Sequence, residues 1–364
     1  MIPYGRQPAF APPSRSVQFA PAPFAPNYLS DCCRTCLNKI MGGFPGGSFR
    51  ADESPRGYLT YFKGLRRSRR HDLPKGCAGY LVKIPEGEHK MPRKRLTQLF
   101  PCLIPIRIRQ RLLFYYASMR FDKNIYSRTK APPLANTEFS ASLPLRNTET
   151  GFDMIYQENK IFNLKLASDA VNGLLIKPGE TFSFSLAVKG ADKKTRYKDG
   201  LVMMNGRLTP AYGGGMCQLT DLIFLLFLHS PLTVTERHGH KIKDFPDLCG
   251  CGMPKGIDAT VFEGWLDLKV KNTTRRTFQL NFDFSENEIT GFLLSDCKSG
   301  CNYAVANGKV IYRRIGGKIY EEAEVIRIRS LSSTGEKNSE KLLYTNICEI
   351  GYTLPKEVEI IESA

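Results

Sequence analysis

Cys217, His238 and His240 have the side-chain types and spacing that could do chemistry. Cys217 follows Gly213, Gly214, Gly215 and Met216, and precedes Gln218 and the apolar run from Leu219 to Leu228. Glycines ahead of a helix let the backbone take positive φ and approach a ligand closely. The free N–H groups and the positive end of the dipole at a helix start favour negative charge, and so favour a thiolate over a thiol. The N–H groups of Met216, Cys217 and Gln218 are then candidate donors to the oxyanion of an acyl-transfer step. A buried cysteine packing as a small hydrophobe beside a glycine turn is the competing reading, and the residues alone leave both open.

His238 and His240 are two of five histidines and lie in Glu236-Arg237-His238-Gly239-His240. They follow the alternating Thr233–Arg237. On a continuing strand, residues two apart point the same way, so either ring could serve as the base for Cys217 while the other positions substrate. Asp258 and Glu236 are candidates to orient that base. Glu236 and Arg237 are also candidate substrate-positioning residues. A zinc reading competes: Cys217, His238, His240 and one of Cys249 or Cys251 would make four ligands. Cys-Gly-Cys is a loose signal, however, and Cys33-Arg34-Thr35-Cys36 has no second pair, so no metal or other cofactor is expected.

These side chains need a globular body, and its extent shows in the charge. The 364 residues carry a net charge of +17. Residues 1–130 hold 24 Lys and Arg against 7 Asp and Glu, and residues 131–364 hold 28 of each. A basic arm on a neutral body points to an acidic partner surface or to a solvated arm. Residues 1–90 are rich in Pro, Gly, Ser and Arg and read as a low-order extension, with Met91 a candidate for the biological start. Residues 91–145 read as a basic amphipathic helical segment, in which Leu112, Tyr115, Tyr116 and Met119 form an apolar stripe. That stripe would pack on a neighbouring domain or lie on an anionic membrane surface. Residues 146–295 read as the core domain and 296–364 as a β-rich C-terminal region.

Within the core, the spacing predicts a helix over Asn159–Val171 and a strand at Thr181–Phe184. It also predicts a hairpin turning at Asn205-Gly206 and a helix over Met216–Leu228, apolar nearly all round and therefore buried. His229 should mark that helix's end. Strands are expected at Ala259–Phe262, Leu266–Val270, Phe278–Phe282 and Lys309–Tyr312. The fold class expected is α+β: an antiparallel β-rich body around one buried helix, with a basic helical segment before it. Eleven cysteines, an odd and unevenly spaced set, argue against a disulfide framework. No run approaches the ~18 apolar residues of a membrane span, and Met1–Arg6 does not open like a signal peptide. P-loop, dinucleotide, G-x-S-x-G, RRM and helix-turn-helix patterns are absent, so nucleic acid is not an expected partner.

Several stretches in one register resemble the vancomycin-resistance protein W (VanW) family. They are Lys177-Pro178-Gly179-Glu180-Thr181-Phe182-Ser183-Phe184, Tyr197-Lys198-Asp199-Gly200, Asn205-Gly206, Gly213–Gln218, Glu236–His240 and Asp258-Ala259-Thr260. The resemblance is strong over about 150–290 and implies a role at the cell envelope, with peptidoglycan stem peptides or their precursors as partners. It further implies a cysteine-dependent L,D-transpeptidase, in which Cys217 forms a thioester with one stem and an amine of a second stem resolves it. The alternative is a non-catalytic accessory protein that binds wall precursors or a resistance enzyme.

Overall fold

The computed structural model describes residues 100–204, 207–243 and 253–362. The expectations about residues 1–90, the Asn205-Gly206 turn itself and Cys249 and Cys251 fall outside them. The chain is α+β. Helix α1 (Ile104–Phe121) leads into β1 (Ile125–Tyr126), β2 (Asn136–Pro144), α2 (Ile155–Val171), β3 (Leu174–Ile176) and β4 (Glu180–Ser183). A short α3 (Phe184–Ala187), β5 (Asp199–Met204), β6 (Arg207–Tyr212), α4 (Met216–Leu228) and β7 (Thr233–Glu236) follow. Then come β8 (Ile242–Lys243), β9 (Lys269–Lys271), β10 (Phe278–Phe284), β11 (Glu288–Ser295), β12 (Cys301–Ile315), β13 (Lys318–Leu331), β14 (Lys337–Ile350) and β15 (Ile360–Glu362).

Three sheets and a hairpin result. Their strand orders are β1-β4-β9-β7, β2-β11-β10-β3 and β15-β12-β13-β14-β8, and β5 pairs with β6. Most pairs are antiparallel; the short β1, β15 and β8 each add in parallel.

Helix α4 is the centre of the core. Leu219, Leu222, Ile223, Phe224, Leu226 and Phe227 are fully buried, because the helix presents almost no polar side chain that would require water. Each such burial stabilises the fold by about 1.5–3 kcal/mol. The helix sits close on β11 at Gly291, where a Cβ would fall 2.9 Å from Leu226 and 3.1 Å from Leu222. Helix α1 packs its expected stripe inward. Met119 is buried, Tyr115 donates to Asp267 at 2.9 Å, and the Arg111 guanidinium lies 4.3 Å from the Trp265 ring centre.

Four expectations need correction. The segment 91–145 is not helical throughout: β2 occupies Asn136–Pro144 and pairs with β11, as its alternating Phe139, Ala141 and Leu143 permit. Helix α2 begins at Ile155, one turn earlier than the spacing suggested. Ala259–Phe262 is not a strand; Ala259 instead gives both backbone groups to side chains of α4. Leu266–Val270 narrows to β9, which begins at Lys269, with Leu266 only bridging Phe262.

Candidate active site

The glycine turn forms because two backbones must nearly touch. Gly213 and Gly215 have φ of 71° and 101°, a region costly for residues with a Cβ. Gly214 lies against Gly200 of β5, where a Cβ would stand 2.3 Å from the Gly200 carbonyl carbon. Asn163 of α2 ties the same place together. Its side chain donates to Lys198 O at 2.9 Å and Gly214 O at 3.0 Å, and accepts from Lys198 N at 2.8 Å. The stretches Tyr197–Gly200 and Gly213–Gln218 are thereby joined by one buried asparagine.

Cys217 is the second residue of α4 and is partly exposed. Of the three expected oxyanion donors, Gln218 is already committed: its N–H donates to Gly215 O at 3.1 Å. The N–H groups of Met216 and Cys217 find no acceptor among the described residues. The Gln218 side chain donates to Pro144 O at 2.6 Å and anchors the helix start to the end of β2.

His240 is the ring that meets the thiol. Nδ1 lies 2.7 Å from Asp258 Oδ2, and the Cys217 thiol is close enough to favour the protonated ring. Burial opposes its protonation, but the bond to Asp258, the Cys217 thiol and the nearby Asp221 outweigh that and push it up to about 11. Asp258 is itself held. Arg237 pairs with its Oδ1 and donates to Asp258 O at 2.6 Å, Gly256 O at 3.1 Å and Asn346 Oδ1 at 3.0 Å. Burial works against ionised Asp258; the hydrogen bond to His240 and the Arg237 charge prevail and hold its carboxyl below the ordinary range.

His238 does not share that direction, which corrects the expectation of two parallel rings. Strand β7 ends at Glu236, so the two-residue alternation stops before the histidines. His238 Nε2 lies 3.1 Å from Glu236 Oε1, and Glu236 Oε2 pairs with Lys269 at 2.8 Å. Glu236 and His238 therefore form a separate cluster, while Arg237 holds Asp258 in place.

Besides Asn163, three contributors were not singled out by sequence. Thr220 Oγ1 donates to Ala259 O at 2.5 Å, and Asp221 Oδ1 accepts from Ala259 N at 2.6 Å. Together they clamp the residue after Asp258 to the helix that carries Cys217. Asn346, on β14, braces Arg237 from the far sheet. The only sequence trace of Thr220 and Asp221 is that they are the polar residues of an otherwise apolar helix after Gln218. A thiol beside an imidazole that a carboxylate holds, at a helix start with two N–H groups lacking an acceptor among the described residues, is an arrangement suited to nucleophilic acyl transfer.

Comparison with known proteins agrees with the motif pattern. The family model described as VanW like protein matches residues 159–294. The Vancomycin B-type resistance protein VanW of Enterococcus faecalis is 51% identical over 75% of this chain and 99% of its own length. The uncharacterized protein YoaR of Bacillus subtilis is 29% identical over 42% of this chain and 46% of its own. No solved structure gives a significant match.

Proposed function

The chain belongs to the VanW family, and from that premise we propose that it is a cysteine-dependent acyl transferase acting on peptidoglycan stem peptides, with a role in vancomycin resistance. The name of the Enterococcus relative supports the second part. The observation that carries the first is the line from Cys217 through His240 to Asp258.

In the first half-reaction Cys217 Sγ attacks a stem-peptide carbonyl. The C–S bond forms, and the oxyanion is met by the N–H groups of Met216 and Cys217. The peptide C–N bond then breaks, and the departing amine takes the proton held by His240. In the second half-reaction the amine of another stem gives its proton to His240 and attacks the thioester. A new amide forms and the thiolate leaves. Asp258, fixed by Arg237, keeps the ring oriented through both halves. An L,D-transpeptidation is this scheme with a stem-peptide amine as acceptor. Muropeptide profiles of cells expressing the wild type and Cys217→Ala test it: cross-links found only with the wild type are expected, and identical profiles would reject it. In that event the accessory role stands, with any resistance phenotype intact in Cys217→Ala.

A second reading concerns position in the envelope. The outward face of α1 exposes Ile106, Leu113, Phe114 and Phe121, and the helix carries four arginines and no acid. No helix among the described residues is long and apolar enough to cross a membrane, but this face suits contact with an anionic lipid surface. Cosedimentation with phosphatidylglycerol vesicles, weakened by salt and absent with phosphatidylcholine, is expected; equal binding to both would discard it.

A further inference from the structure

Lys160 is a cation that the scheme above leaves unused. Helix α2 turns one face to the glycine turn: Asn159 donates to Asp199 O at 2.9 Å and Asn163 to Gly214 O. Lys160 lies on that face, one turn before Asn163. Its side chain runs across Gly215, the residue that ends the turn. A Cβ on Gly215 would fall 2.2 Å from Lys160 Cγ and 3.1 Å from its Cδ. The missing side chain of Gly215 is thus the space through which the lysine passes, two residues ahead of Cys217.

Among the described residues the Lys160 ammonium has no hydrogen-bond or ion-pair partner. The charge that acts on it is that of Arg146, of like sign. Glu158, two residues away, is occupied with Arg146 at 2.7 Å. Burial, with Arg146 adding to it, lowers the lysine to about 8. The residue is half-buried, so its ammonium still meets solvent, and an anion that reaches the turn can pair with it.

We propose that Lys160 is the anchor for an anionic group of the acyl donor, a carboxylate carried by the peptide whose carbonyl meets Cys217. The proposal rests on the acyl-transfer reading and deepens it by fixing the substrate class as carboxylate-bearing peptides. In its terms Lys160 is a specificity residue: it holds the donor and takes no part in bond making.

Two alkylating reagents of similar size test this without knowledge of the natural donor. Iodoacetate carries a carboxylate and iodoacetamide does not. Both rates at Cys217 are measured at pH 7 by mass spectrometry of its peptide, with exposed Cys297 as the internal control. The expected result is a rate ratio, iodoacetate over iodoacetamide, at least fivefold higher at Cys217 than at Cys297. Lys160→Met should abolish that excess and Lys160→Arg should retain it. An unchanged ratio in Lys160→Met would overturn the proposal. The ratio is defined for any accessible thiol, so it reads Lys160 even where the muropeptide test fails, and the two failures stay separate.

Discussion

At the scale of single residues the site is an electrostatic chain, Arg237 to Asp258 to His240 to Cys217, and its stability should carry that signature. His240 is raised from 6.5 to about 11. Its contribution is complete below about pH 6.5 and is lost as pH rises through the folded value. Asp221 is pushed up from 3.8 to about 7 by desolvation, against the pull of His240. Its neutral form is the one the fold favours, so its contribution drains away as pH rises from 3.8 to 7. Asp258 has the opposite sign: held below 3.8, it contributes above that value and loses its contribution as pH falls. Urea titrations should therefore show wild-type stability declining from pH 5 to 8, with Asp221→Asn removing the part of the decline below about pH 6.5. A rise with pH over that range would contradict the assignment. Asp258→Asn should cost about 3 kcal/mol or more, because Arg237 would keep its charge without its partner; thermal or urea unfolding reads this directly.

At the scale of elements, the site depends on close backbone approach and on a helix with no slack. Gly214→Ala would push a Cβ into the Gly200 backbone, which cannot swing aside. A loss at the upper end of the ~1–3 kcal/mol typical of overpacking is expected. Gly300→Ala is the control: like Gly214 it has no positive φ, but it has open space around it, so it should cost little. Leu226→Ala, in the fully buried face of α4, should cost about 2–5 kcal/mol. Equal losses for Gly214→Ala and Gly300→Ala in urea unfolding would show that the contact with Gly200 carries no weight. The sequence made α4 legible because Leu222–Leu228, seven residues without a polar side chain, can only be buried. It made the β5–β6 hairpin legible because Asn-Gly sits between two alternating runs. It misled at Ala259–Phe262, whose β-prone residues read as a strand, while Ala259 bonds to the Thr220 and Asp221 side chains. No local pattern reveals that a helix side chain will take a strand's hydrogen bonds.

At the scale of the whole molecule, residues far apart in the chain meet at one place: Lys160 and Asn163 from α2, Cys217 from α4, His240 and Asp258 from the loops after β7 and β8, and Asn346 from β14. Motif reading found Cys217, His240 and Asp258 because unusual residue types cluster there. It could not choose between His238 and His240, since the choice depends on where β7 stops. It passed over Lys160, an ordinary helix residue until Gly215 is placed beneath it. The same scale explains α1: Tyr115 of its inner stripe is held by Asp267, Arg111 packs on Trp265, and apolar bulk at Leu113, Phe114 and Phe121 faces outward. Replacing Leu113 and Phe114 by Ser together should leave the unfolding midpoint nearly unchanged, since both are exposed, while lowering phosphatidylglycerol binding at least fivefold in cosedimentation.

The most direct test is the rate at which iodoacetamide modifies Cys217 at pH 7 in the wild type, His240→Asn and His238→Asn. A rate that falls at least tenfold in His240→Asn and stays within twofold in His238→Asn is the expected result. Equal rates in all three proteins would mean that the imidazole does not serve the sulfur, and the acyl-transfer account would fall with it.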